Sequence, residues 1–298
     1  MRELWIRQST LKDWMTCREK YRLNHIIGLE PIAPNIHYQF GSVIHTMCQS
    51  YWNGEDYMTA FTKALKLSQE LDPRLCDAKD QKKYTDLCET IAPITSIYYK
   101  TNGEAGPSEK PIYNEYQFSW DWGTISGIHV ICTGTIDRYF PDGTLRDTKT
   151  ASAVGKDWKS DLKKRLLREP QLPFYRRFIE YDNGRIVLDE SKLPPVEKMQ
   201  YEVIVKPYRG SEPSIEILDC TKEFMARQEV WDQQTDWAIR EIAEFYANAL
   251  DSQPWPQSTS ACTTSIFGEC DYLPVCLGNK LSADTTLYRI REKEEVKV

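Results

Sequence analysis

Asp137, Asp147 and Lys149 are the residues whose types and spacing best suit chemistry at an anionic centre. Between the two aspartates lies Pro141-Asp142-Gly143, a turn sequence through its Pro and Gly dihedral preferences. Strands over 126–140 and 144–150 then form a hairpin, and symmetric antiparallel pairing about position 142 sets Asp137 opposite Asp147. Opposed positions have Cβ atoms roughly 4.5 to 5.5 Å apart, and two carboxylates so placed repel unless a cation separates them. A divalent ion such as Mg2+ fits, because it takes one or two protein carboxylates together with phosphate and water. Lys149 lies two residues beyond Asp147 and projects from the same strand face, while Thr148 faces the other way. An ammonium there can orient or deprotonate a water and stabilise developing charge.

Other residues can join this centre. Phe40, Val43, Ile44, Met47 and Tyr51 make an amphipathic helix over roughly 38–53 and leave His45 at the edge of the apolar stripe. That histidine is either a structural or solvated side chain or a further ligand beside the carboxylates. Gln171 and Tyr175, at i and i+4, share one helical face and can both reach a ligand over the sheet. Cys48, Cys76, Cys88, Cys132 and Cys220 have apolar neighbours and read as small core residues. Cys262, Cys270 and Cys276 instead fall in a Gly- and Pro-punctuated stretch without helical or strand periodicity, which something other than a core must hold.

The elements that must position these groups run in the order helices, three strands, helix, strand, helix. Ser9 or Thr10 caps a first helix with Cys17 near its middle, and further helical patterns cover 55–71 and 78–100. Alternation from Tyr113 to Trp122 predicts a strand that points Tyr116, Phe118 and Trp120 one way and Glu115 the other. A basic helical stretch runs from Lys156 to Arg168, then come a helix over 171–181, strands near 185–189 and 199–207, and a long helix near 221–250. Arg289 to Val298 reads as a charged, frayed tail. The 41% hydrophobic content of 298 residues supports a sizeable core, and no stretch approaches the roughly 20 apolar residues of a membrane span. A soluble cytoplasmic protein is expected, with no G-x-x-x-x-G-K-[ST] phosphate loop and so no motor activity of its own.

Taken in order, these residues resemble the RecB-like branch of the PD-(D/E)XK nuclease superfamily, which includes AddB-type, CRISPR-adaptation and bacteriophage exonuclease-like members. Gly41-x-x-x-His45, Gly134-Thr135-Ile136-Asp137, Asp147-Thr148-Lys149 and Gln171-x-x-x-Tyr175 resemble its successive motifs. The resemblance implies that His45, Asp137, Asp147 and the Thr148 carbonyl bind Mg2+ or Mn2+, and that Lys149 activates water with Gln171 and Tyr175 close by. Glu115 matches an acidic position ahead of the second motif. Cys17, Cys262, Cys270 and Cys276 match the cysteines that hold a [4Fe-4S] cluster in the iron-sulfur members, with zinc the other occupant that four thiolates suit.

The fold so implied is mixed α/β, a restriction-endonuclease-like core with a central mixed sheet flanked by helices. Residues 1–298 are expected to form one nuclease domain. Its parts are a helical region 1–110, a catalytic sheet 111–210, a helix and cysteine segment 211–280 that staples the chain, and a tail 281–298. The expected activity is metal-dependent DNA hydrolysis, exonucleolytic by resemblance, in replication, recombination or repair. Any helicase or recombinase is a separate partner, and the alternative is a catalytically silent DNA-binding subunit. The net charge of −6 is offset locally by Lys156, Lys159, Lys163, Lys164, Arg165 and Arg168, interrupted by Asp157 and Asp161 and followed by Arg176 and Arg177, a segment that is either able to hold phosphates or a solvated helix face.

Overall fold

The computed structural model describes residues 2–32, 35–70, 78–153, 156–185, 193–207, 211–248, 255–258, 262, 270–278 and 288–291. In chain order the elements begin with β1 (Arg2–Arg7), α1 (Gln8–Thr16), α2 (Arg18–Tyr21), a π-helical turn (Arg22–Ile26) and β2 (Leu29–Pro31). Next come α3 (Ile36–Trp52), α4 (Tyr57–Ser68), α5 (Ala78–Cys88) and α6 (Ile91–Asn102). They are followed by β3 (Tyr113–Ile125), β4 (Ile128–Tyr139), β5 (Thr144–Ser152), α7 (Trp158–Leu166) and α8 (Gln171–Arg185). The rest are β6 (Lys198–Lys206), β7 (Ser214–Asp219), α9 (Thr221–Met225), α10 (Gln228–Asn248), α11 (Leu273–Cys276) and β8 (Tyr288–Ile290). The chain divides into two compact units, one made of 1–33, 119–133 and 233–298, the other of 34–118 and 134–232.

In the second unit the β4–β5 hairpin forms as its sequence dictates. Gly143 N–H donates to the Phe140 carbonyl at 3.0 Å, and Gly143 takes φ +76°, which a residue without Cβ adopts readily. Arg138 pairs with Arg146 and Tyr139 with Leu145, the register predicted by symmetry about position 142. The ladder then stops short of the expected Asp137–Asp147 pair. Instead the Asp137 carboxylate itself accepts the Thr148 N–H at 2.7 Å, so a side chain takes the donor and the strands part there. Beyond β5 the order continues to β6, in parallel, and then to β7, antiparallel, which gives a mixed sheet.

Helices cover both faces of this sheet. On one face α3 lays down Phe40, Val43, Ile44, Met47 and Tyr51, all fully buried as the stripe predicts, against Ile94 and Tyr98 of α6 and Ile204 of β6. Asn35 caps α3 by accepting from the His37 N–H at 3.0 Å. On the other face Leu172, Phe174, Tyr175, Phe178 and Ile179 of α8 are buried. The helical pattern over 78–100 is two helices, α5 and α6, and that over 221–250 is α9 and α10, interrupted at 226–227. Strand β7 was not anticipated. Of the strand expected near 185–189, residue 185 closes α8 and 186–189 lie outside the described residues.

In the first unit β1, also unanticipated, pairs in parallel with Ile128–Thr133 of β4. The Thr10 hydroxyl accepts the Arg7 N–H at 2.8 Å and so closes the start of α1. Cys17 does not lie within a helix: it has φ −162°, an extended residue between α1 and α2. That break lets Trp14 pack edge-on to Tyr21, Phe245 and Trp255 at centroid distances of 5.3, 5.3 and 5.9 Å. The Asp13 carboxylate lies 2.7 Å from Lys20 Nζ and 2.9 Å from His25 Nε2. The expected frayed tail begins as structure, because Tyr288–Ile290 pairs with β2 while Arg289 and Arg291 bond Glu30. No helix among the described residues is long and apolar enough to cross a membrane.

Two stability predictions follow from these contacts. A Cβ on Gly143 would meet the Pro195 carbonyl oxygen at 2.4 Å in a left-handed backbone, so Gly143→Ala should lower stability by about 2 kcal/mol, read as a drop in thermal midpoint. Burial opposes ionisation of Asp13, but His25 and Lys20 outweigh it and hold its pKa at about 2. The folded value is below the unfolded one, so this contribution is complete above about pH 4 and is lost as pH falls toward 2. The stability gap between the wild type and Asp13→Asn should therefore be on the order of 2 kcal/mol at pH 6 and should close between pH 4 and pH 2. A gap of constant size across that range would refute the assignment.

Candidate active site

The centre is assembled where β4 and β5 part. From α3, His45 brings Nδ1 to 3.2 Å from Glu115 Oε1 and 3.5 Å from Asp137 Oδ2, while Nε2 faces the Thr148 carbonyl oxygen at 3.1 Å. Ligand atoms of His45, Glu115 and Asp137 all lie within 4.8 Å of one another, a spacing one ion can span. Glu115 is held at φ +50°, a strained conformation for a residue with Cβ, near the start of β3. Burial disfavours a charged His45 ring, but the Asp137 charge and the Glu115 hydrogen bond prevail and raise its pKa to about 9. A protonated imidazole thus offsets the converging carboxylates, a role that a divalent cation can also fill.

Asp147 and Lys149 extend the centre along β5. Lys149 Nζ is 2.5 Å from Asp147 Oδ2 and donates to Gln171 Oε1 at 2.7 Å. Gln171 Nε2 in turn donates to Asp147 Oδ1 at 2.5 Å and to the Tyr175 hydroxyl at 3.2 Å. The amide of Gln171 therefore fixes both members of the pair, as its i, i+4 relation to Tyr175 on α8 allows. Burial pushes the Asp147 carboxyl up to about 6 despite the pull of Lys149, with the Asp137 charge adding to the rise. Its Oδ2 is buried against the Lys149 ammonium, so an ion that used this oxygen would share it with Lys149. Gly134 is required beside it, since a Cβ there would approach the Phe118 ring to 2.7 Å and the Tyr175 ring to 3.0 Å.

Sequence reasoning missed the charges on the opposite face of the same strands. Arg138 and Glu202 are both buried and lie 2.9 Å apart, and the Tyr98 hydroxyl donates to Glu202 Oε2 at 2.9 Å. Arg138 also bonds the Thr148 hydroxyl. The available signals were a lone acid in the apolar run of β6 and an arginine directly after Asp137. The basic segment after β5 is mostly committed within the fold: Lys159 pairs with Glu216 at 2.6 Å and Lys163 with Glu223 at 2.8 Å. Arg176 is buried against Glu180 and Asp232, each at 2.5 Å, and Arg177 donates to the Asp232 carbonyl at 3.2 Å. Arg176 is thus taken up within the fold, while Lys159 and Lys163 make exposed surface pairs.

In the first unit the four singled-out cysteines converge. The Ser258 N–H donates to Cys17 Sγ at 3.5 Å, Cys262 Sγ contacts the Ser258 carbonyl at 3.7 Å, and the Cys270 N–H donates to the Cys262 carbonyl at 3.1 Å. Burial raises the Cys276 thiol to about 11, and Glu19, Cys270, Cys17 and Cys262 are near enough to add to the rise, so all four sulfurs lie in one electrostatic neighbourhood. Cys48, Cys132 and Cys220 are buried core residues as expected and Cys88 is partly exposed, while Cys76 lies outside the described residues.

A solved structure from Eubacterium rectale, of a protein described as a candidate exonuclease, aligns with TM-score 0.49 and 14% identity over 93% of this chain and 88% of that one. No curated protein matches the chain significantly. The family model for the PD-(D/E)XK nuclease superfamily matches residues 7–277, which takes in every motif from Cys17 to Cys276, and the chain belongs to that superfamily.

Proposed function

We propose that the chain is a metal-dependent DNA nuclease of the exonuclease type, its residues 1–298 forming a single nuclease domain that acts in the cytoplasm. The observation that carries this reading is the meeting of His45, Glu115 and Asp137 beside an Asp147–Lys149 pair that Gln171 holds in place. Hard carboxylate oxygens of Glu115 and Asp137 with one imidazole suit Mg2+ or Mn2+, and Asp147, held by Lys149 and Gln171, would complete the set beside them. Bound there, the ion would polarise the scissile phosphodiester and offset its charge. His45 Nδ1 faces the carboxylates because the Thr148 carbonyl takes the Nε2 proton, so Thr148 selects the ring nitrogen offered to the ion. Lys149, anchored by Gln171 Oε1, orients the attacking water, and its ammonium steadies the charge that develops on phosphate. Tyr175 supports Gln171 from the next helical turn.

Cys17, Cys262, Cys270 and Cys276 fit a [4Fe-4S] cluster by number and donor type, and the contacts of Cys17 and Cys262 with Ser258, with Cys270 bonded to the Cys262 carbonyl, support a structural staple for the first unit. DNA is the substrate, and a helicase or recombinase that unwinds or delivers it is a separate chain, in replication, recombination or repair.

Anaerobically purified protein should degrade linear DNA with Mg2+ or Mn2+ and fail to do so in EDTA, with closed circles spared. Lys149→Ala should lower the cleavage rate on the order of 10^3-fold while leaving DNA affinity in Ca2+ within a factor of a few. Equal cleavage by the variant would remove Lys149 from the mechanism, and tight binding without cleavage by the wild type would favour a silent subunit. Elemental analysis should find iron and acid-labile sulfide in equal amounts, and Cys276→Ser should abolish the visible absorbance and lower the thermal midpoint. Stoichiometric zinc without sulfide would overturn the cluster assignment.

A further inference from the structure

Among the described residues the buried cations are matched by carboxylates, with one exception. Arg22 bonds Glu19, Arg138 pairs with Glu202, and Arg176 pairs with Glu180 and Asp232. Lys206, 9% exposed at the end of β6, makes no hydrogen bond or ion pair among the described residues, and its ammonium rests 5.7 Å from the centre of the Phe40 ring. Burial alone lowers its pKa. An ammonium partly withdrawn from water without an anion beside it is disfavoured, an imbalance that an incoming anion would offset.

The place of Lys206 indicates which anion. It stands opposite Ser152, three residues along the paired strands from Lys149 and Val203. It also lies at the N-terminal end of α3, where its charge, after burial, is the largest influence lowering the pKa of His37. From there His37, Gly41 and His45 follow at i, i+4 and i+8, one ridge of α3 that leads into the candidate active site. A glycine inside a helix costs about 1 kcal/mol, and at Gly41 no protein atom accounts for it, since a Cβ would meet nothing within 4 Å. Such a glycine gives a ligand close access to the backbone. The eight residues from His37 to His45 rise roughly 12 Å, the span of about three to four nucleotides in one strand.

We propose that Lys206 binds a phosphate of the substrate strand a few nucleotides from the scissile bond, with the strand lying along the His37–Gly41–His45 ridge. The inference rests on the nuclease reading above, and its test separates the two. Binding of a short single-stranded oligonucleotide to the full chain is measured in Ca2+ as a function of salt, and cleavage in Mg2+ is measured on that oligonucleotide and on a dinucleotide too short to reach Lys206. Lys206→Met should weaken oligonucleotide binding roughly tenfold and reduce the slope of log affinity against log salt by about one. The dinucleotide rate should be unchanged, and Lys206→Arg should restore binding.

A Lys206→Met protein that melts at or above the wild-type temperature with unchanged salt slope and KM would overturn the proposal and leave Lys206 a packing residue. Should that variant fail to fold, acylation of Lys206 in the wild type, followed by mass spectrometry, should be slowed by the oligonucleotide, and equal labelling with and without it would overturn the proposal. Comparing strands with a terminal phosphate or a terminal hydroxyl then assigns the group: loss confined to the phosphorylated strand marks a terminal phosphate, and equal loss an internal one. Absence of cleavage by the wild type would defeat the nuclease reading, while the Ca2+ binding slope would still report on Lys206.

Discussion

The hydrogen bond from the Thr148 amide to the Asp137 carboxylate is the constraint on which the centre depends. In an uninterrupted antiparallel ladder that amide would be shared between backbones, and Asp137 and Asp147 would face each other as a repelling pair. By accepting the amide at 2.7 Å, Asp137 satisfies a buried donor and ends the ladder after Arg138 and Arg146. The opening so made admits His45 from α3 to the Thr148 carbonyl and leaves carboxylate oxygens facing a common space. One hydrogen bond thereby fixes strand geometry and ligand direction together.

Alternation along β5 then sorts the charges. Asp147 and Lys149 face α8, where Gln171 bridges them, while the Thr148 side chain faces the Arg138–Glu202 pair beneath α3 and α6. A buried ion pair of this kind adds little net stability over apolar packing, because desolvation consumes most of its Coulomb energy, but removing one partner leaves an uncompensated charge. Its position directly behind Thr148 ties the backbone that carries the His45 acceptor to the rigid side of the sheet. The same arithmetic makes Lys206 conspicuous, since it bears the desolvation without a carboxylate to share it.

Much of this was legible in local pattern. The Pro-Asp-Gly turn set the hairpin register, helical spacing placed His45 at the margin of an apolar stripe, and i, i+4 spacing joined Gln171 to Tyr175. What could not be read had causes beyond the local chain. The early end of the ladder is a competition between a side chain and a backbone acceptor, to which propensity is blind. β1, β7 and β8 are short and depend on strands far along the chain, and Cys17 interrupts a helical pattern because packing of Trp14 against Tyr21, Phe245 and Trp255 overrides it. The basic run after β5 looked available to phosphate because sequence does not show Glu216, Glu223 and Asp232 folding back onto it.

The division of the chain also sets an order of events during synthesis. Residues 34–232 contain every strand of the catalytic sheet from the second half of β4 onward, whereas the other unit joins 1–33 to 119–133 and 233–298. A ribosome releases the catalytic unit first, while Cys17 has emerged long before Cys262, Cys270 and Cys276 exist to meet it. Any group held by all four cysteines would therefore find its full set of ligands only after the segment carrying Cys262, Cys270 and Cys276 had been made.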